Sequence, residues 1–129
     1  MAENSSNTAS GSYRSGVKRL IIMRHAEADW GLNDFDRPLT KRGHEQAAAA
    51  GAWLAARGYI PEQIMSSSAL RTRQTTTWVS DGLGAKAPTA HLDEGLYEVS
   101  ASRIIARINS VSENVHSLMV VSHLPGVQD

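Results

Sequence analysis

No cysteine occurs among the 129 residues, which excludes disulfides, thiolate zinc sites and thiol nucleophiles together. Nor is there an excess of either charge. Thirteen basic residues meet thirteen acidic ones, so no global field draws the chain to nucleic acid or to an anionic membrane. Any anion site must therefore be built locally, from clustered arginines. No apolar run approaches the ~20 residues that a membrane span needs. The start, Met1-Ala2-Glu3-Asn4-Ser5-Ser6, lacks the basic-then-apolar order of a secretory signal. With 41% hydrophobic and 20% charged residues, the balance is that of a soluble globular protein, expected in the cytoplasm without nucleic-acid or membrane partners. The length suits one domain.

Residues 1–16 are rich in Ser, Asn, Thr, Ala and Gly and offer almost nothing to bury, so they are expected to form a flexible tail. The folded domain is expected over residues 17–129. Leu20-Ile21-Ile22-Met23 has the continuous apolar character of a strand buried on both faces. After the loop Asp36-Arg37-Pro38-Leu39, Thr40 is placed to cap a helix running to about Arg57, with Ala47, Ala50, Trp53 and Leu54 as its buried stripe. Gln63-Ile64-Met65-Ser66 reads as a second strand, and Ser68 as the cap of a second helix reaching Leu83. A weak third strand covers Thr89 to Leu92. Ser100 then caps a third helix with Ile104, Ile108, Val111 and Val115 at helical spacing. Ser117-Leu118-Met119-Val120-Val121 is the last strand. Strands alternating with helices predict an α/β domain with a largely parallel sheet.

The two clearest strands each end in a histidine, as Met23-Arg24-His25 and Val121-Ser122-His123, and the second strand ends shortly before Arg71. Ligands of open α/β sheets bind beyond the carboxyl ends of the strands, so these distant residues are expected to share one crevice. A neutral imidazole at His25 is a competent nucleophile at pH 7. Arg24 offers a fork of donors to phosphate oxygens. Arg71 falls in the first turn of a predicted helix, where an anion is already favoured. His123 is placed to donate to a phosphoryl oxygen from the side opposite Arg71. Each of these residues alone also reads as an ordinary surface side chain. His44, His91 and His116 stand at no ligand spacing and are taken as surface residues, so no metal site is expected. For a general acid, Glu94, Glu98, Glu27 and Asp29 are all candidates that the sequence does not rank.

Taken together, five segments resemble the histidine phosphatase superfamily, which has the phosphoglycerate-mutase-like fold. They are Arg24-His25-Ala26-Glu27, then Arg37-Pro38-Leu39-Thr40-Lys41-Arg42-Gly43 with Gln46-Ala47. Next come Ser67-Ser68-Ala69-Leu70-Arg71-Thr72-Arg73-Gln74-Thr75 and the stretch from Leu92 to Glu98. The last is Val121-Ser122-His123-Leu124-Pro125. They stand in the family's order over most of residues 18–126, and the Asp-Arg-Pro-Leu-Thr and Ser-His-Leu-Pro blocks are most similar to the small SixA-type phosphohistidine phosphatases.

The resemblance implies a three-layer α/β/α fold, His25 as the phosphorylated nucleophile, and Arg24, Arg71 and His123 as the phosphate pocket. It also implies Glu94 as the acid by its spacing after Leu92. The implied activity is metal-independent and cofactor-free removal of phosphate from phosphohistidine on a protein substrate. The alternatives are a phosphatase for small phosphate esters and a phosphoprotein-binding module without turnover. Family members continue past the position of Asp129 with a further helix and strands, so the C-terminal part of the family fold is expected to be missing.

Overall fold

The computed structural model describes residues 2–5, 17–30, 33–97 and 101–123. Five strands, β1 (Ala2–Ser5), β2 (Arg19–Arg24), β3 (Gln63–Ser67), β4 (Ala90–Asp93) and β5 (Ser117–Ser122), form one sheet in the order β1-β2-β5-β3-β4. The β2, β5, β3 and β4 strands run parallel and β1 is antiparallel to β2. Three helices, α1 (Lys41–Ala56), α2 (Leu70–Leu83) and α3 (Ala101–Asn109), complete the domain.

Strand alternation divides the core into two. Ile21, Met23, Ile64, Met119 and Val121 point to the face covered by α1 and α2, where Ala47, Leu54, Val79 and Leu83 meet them. Leu20, Met65, Leu118 and Val120 point to the other face, where Ile104, Ile108 and Val111 from α3 and its exit pack. A strand with helices on both faces must be apolar at every position, which is why β5 reads as an unbroken hydrophobic run. The expected three-layer α/β/α architecture is present.

Four local expectations change. Residues 1–16 were assigned to a tail, yet the backbone of Ala2–Ser5 pairs with Ile22–Arg19. Pairing of this kind draws on the main-chain groups along the outer edge of β2 and asks nothing of side chains. Ser68 does not cap α2. The cap position is Ala69, which makes no side-chain cap bond, while the Thr72 hydroxyl lies 2.8 Å from the carbonyls of both Ser67 and Ala69. Trp53 is not in the buried stripe of α1 but 42% exposed, with the Arg57 guanidinium over its ring. His44 is half-buried against α2, its ring stacked on Trp78. Thr40 does cap α1, its hydroxyl accepting from the Gly43 N–H at 2.9 Å. Glu98 and Ser100, and Leu124 and Pro125, lie outside the described residues.

The two helices on one face cross so closely that glycine is required on both. A β-carbon at Gly51 would lie 2.1 Å from the Val79 carbonyl oxygen, and one at Gly82 would lie 2.1 Å from that of Ala48. Both obstacles are backbone, so neither can step aside without moving a helix. Gly51→Ala should therefore lower stability by about 2–3 kcal/mol, the upper part of the range for overpacking. Urea unfolding of the variant checks this, and an unchanged midpoint would show that the helices are not in contact there.

Candidate active site

Three strands deliver the site. His25 follows β2, His123 follows β5, and the turn after β3 leads through Ser67 into Arg71 on the first turn of α2. Because β5 lies between β2 and β3 in the sheet, the three C-terminal ends are neighbours, at the end of a parallel sheet where ligands bind.

The His25 ring is held by a bond from its Nδ1 to the Ala26 carbonyl, 2.8 Å. A neutral ring that donates from Nδ1 carries its lone pair on Nε2. Burial lowers the His25 pKa below its usual 6.5, and the positive charges of Arg71, Arg24 and Arg37 lower it further against the opposing carbonyl bond. The loop carrying the ring is tied at three backbone N–H groups: Ala26 to the Thr75 hydroxyl at 3.0 Å, Glu27 to the Gln46 side-chain oxygen at 3.1 Å, and Leu39 to that of Gln74 at 2.7 Å. Thr75 in turn donates to the Arg71 carbonyl at 2.7 Å.

His123 is buried, its ring centroid 5.6 Å from that of His25. Arg71 Nη2 approaches His123 Nδ1 at 3.1 Å, and His123 Nε2 lies 2.9 Å from Ser67 Oγ. Since a guanidinium can only donate, Nδ1 accepts and the ring proton sits on Nε2, donating to Ser67. Burial, then the Arg71 charge, then His25 bring the His123 pKa down to about 4. The expectation that His123 stands opposite Arg71 is thus replaced by direct contact between the two.

Arg71 is only 4% exposed. Its Nη1 donates to the Asp34 carbonyl and its Nη2 to Asp34 Oδ2 at 3.1 Å, while its buried Nε has no acceptor. Tyr97 donates its hydroxyl to the same Asp34 oxygen and sets its ring edge-on to His123 at 5.2 Å. The Tyr97 hydroxyl first, then Arg71 and Arg37, hold the Asp34 carboxyl down at about 2 against the opposing effect of burial. Arg24 is exposed at the end of β2. It lines, with His25, Ala26, Gln46, Ala47, Ala50 and Thr75, a hollow of about 260 Å³ beside the His25 loop.

His25, Arg71 and His123 are therefore brought together, with Arg24 adjacent. Glu94 is not. It is exposed in a short turn after β4, and no hydrogen bond or ion pair among the described residues links it to the cluster. Glu27 accepts from the Thr40 hydroxyl at 2.9 Å, and the Asp29 backbone closes the 29–38 loop through bonds with Pro38 and Arg37. Both serve the loop instead of the crevice. The carboxylate that does reach the cluster, Asp34, was missed, as were Ser67 and Tyr97. Asp34 touches Arg71 across 37 residues of sequence, and no periodicity or motif spacing reports such a contact.

The sequence pattern defining the histidine phosphatase superfamily (branch 1) matches residues 20–123. An uncharacterised protein of Mycobacterium tuberculosis H37Rv, Rv1276c, is 40% identical over 105 residues, which is 80% of this chain and 63% of that one. This chain thus spans less than two thirds of the length of that relative. Among solved structures, a SixA protein from Agrobacterium tumefaciens superposes with a TM-score of 0.73 at 31% identity, covering 82% of this chain and 69% of that one. The protein histidine phosphatase SixA complexed with tungstate gives 0.72 at 29% identity with the same coverage. Among the described residues no helix is long and apolar enough to cross a membrane. Matched over most of its length by the family pattern, and in fold by SixA structures, the chain belongs to the histidine phosphatase superfamily, branch 1, and is of the SixA type.

Proposed function

We propose that the chain is a phosphatase that takes phosphate from phosphohistidine on a protein, through a phosphorylated His25. The observation that carries this reading is one contact set: a neutral, oriented imidazole at His25 beside a second ring, His123, that is bonded to a buried arginine. A phosphoryl group is transferred through a loose transition state with charge on its equatorial oxygens, so positioning and cationic donors carry most of the catalysis. Arg71 and Arg24 supply those donors. His25 Nε2 attacks phosphorus as the bond from phosphorus to the substrate imidazole breaks, and that imidazole takes up a proton. Water then attacks the phosphorylated His25, releasing phosphate and restoring the ring. The leaving imidazole is basic enough to be protonated from solvent, so the reaction needs no buried acid, consistent with the exposed position of Glu94. The charge stabilisation needs no metal, and the full activity should survive chelation. A chain with a protein substrate also benefits from a site at an open sheet end.

Incubation with a protein carrying labelled phosphohistidine should leave acid-labile label on the wild type. His25→Ala should carry none and lose activity by on the order of 10³-fold or more. Arg71→Ala should lose about 10²–10³-fold, as for removal of an oxyanion donor. Turnover by His25→Ala at the wild-type rate would rule the mechanism out, and faster turnover of a small phosphate ester than of the phosphoprotein would redirect the substrate assignment.

The lowered histidine pKa values have a pH consequence. His123 binds a proton near pH 4 when folded and near 6.5 when unfolded, so between these values the unfolded chain holds more protons. Stability is therefore fully present above pH 6.5 and falls as the pH drops toward 4, with His25 contributing in the same direction. Melting temperatures from pH 7.5 to 4 should decline along this course, and His123→Gln should flatten the decline. An identical slope in that variant would mean that other groups govern it.

A further inference from the structure

We propose that Asp34 is a resident counter-anion that competes with the phosphoryl group for Arg71, lowering phosphate affinity and favouring release of product; this rests on the reading of the cluster as a phosphate site. Arg71 has three donor nitrogens. Asp34 engages two of them, through its carbonyl at Nη1 and its carboxylate at Nη2. These are the donors with which a guanidinium grips a phosphate end-on. A phosphoryl group seated there in fork geometry must take at least one of them from Asp34.

The two partners are not equally free to move. The Arg71 side chain is 5% exposed and the Asp34 side chain 43%. Asp34 can be transferred to water at little cost, whereas Arg71 would remain a buried cation wherever Asp34 goes. The exchange therefore runs by departure of the carboxylate. Tyr97 sets its resting position. Its hydroxyl donates to Asp34 Oδ2, and its ring packs edge-on to Phe35 at 5.3 Å and to His123 at 5.2 Å. Arg37 adds a weaker ion pair at 3.5 Å from the loop's own side. The carboxylate is thereby held over the arginine whenever no phosphate is present, and returns to it as phosphate leaves.

Competition of this kind subtracts the same free energy from the binding of every anion that needs Arg71. An ion pair whose carboxylate is 43% exposed to water is modest in strength even with added hydrogen bonds, so its removal should tighten binding roughly three- to tenfold. Titration calorimetry with tungstate as the tetrahedral probe, on the 129-residue chain, tests this. Asp34→Asn should bind tungstate more tightly than wild type by that factor, and Tyr97→Phe should shift in the same direction by less. Saturating tungstate should also raise the melting temperature more in Asp34→Asn than in wild type, because the variant leaves Arg71 without its anion when empty. Equal or weaker binding by Asp34→Asn, alongside wild-type binding that vanishes in Arg71→Ala, would overturn the role of Asp34 while leaving the phosphate site intact. Absence of tungstate binding in both wild type and Asp34→Asn would overturn the two readings together.

Discussion

Arg71 carries a charge that it cannot give up, at a position almost closed to water. Much of the crevice can be understood as the accommodation of that charge. A lone pair on one side, from His123, and a carboxylate on the other, from Asp34, supply the acceptors a buried guanidinium requires. Burial first, and then the same charge, govern protonation nearby. An imidazole that accepts from an arginine must be neutral at that nitrogen, and a second imidazole a few ångströms further on is discouraged from becoming a cation. One buried cation thus fixes the tautomer of His123 and, together with burial, favours the uncharged form of His25.

The scaffold holds this arrangement through side chains that reach backbone, not through contacts among the site residues alone. Thr75 is the clearest case. From one hydroxyl it accepts from the loop after His25 and donates to the carbonyl of Arg71, so α2 and the end of β2 are locked at one distance. Gln46 and Gln74 do the same for the residues that follow. Close approach of α1 to this loop is possible because Gly43 lacks a side chain, a β-carbon there falling 2.1 Å from the Glu27 carbonyl oxygen. The motif segments beyond the catalytic candidates are therefore intelligible as anchors.

The parts of this organisation visible in the sequence are those with a local signature. The apolar runs of β2 and β5, the Thr40 cap and the helical spacing of Ile104 and Ile108 each report a structure within a few residues of themselves, whereas Val111 and Val115, expected on the same helix, lie past the end of α3. The meeting of His25, His123 and Arg71 was also legible, because parallel strands share an end and all three residues follow strand termini. What escaped notice has no such signature. Tyr97 reaches Asp34 across 63 residues and Ser67 reaches His123 across 56, and the β1 pairing is made by main chain, which composition does not report. Glu94, exposed and unlinked to the cluster among the described residues, is the opposite case. Its spacing was suggestive, but spacing does not decide which way a short turn presents its carboxylate. Trp53 misled because its apolar character suggested the buried stripe, whereas it lies about half a turn round α1 from the buried Gly51 and packs instead against Arg57.

The strand at the centre of the sheet is β5, whose residues come after all the others in the order of synthesis. Until it emerges from the ribosome, β2 and β3 have no common neighbour to pair with, and the α1–α2 pair can shelter only one side of an unclosed core. Before β5 pairs, the apolar edges of β2 and β3 are unmatched, and its pairing positions His123 in the same event. One strand thus joins the two halves of the sheet and brings the second histidine of the crevice with it.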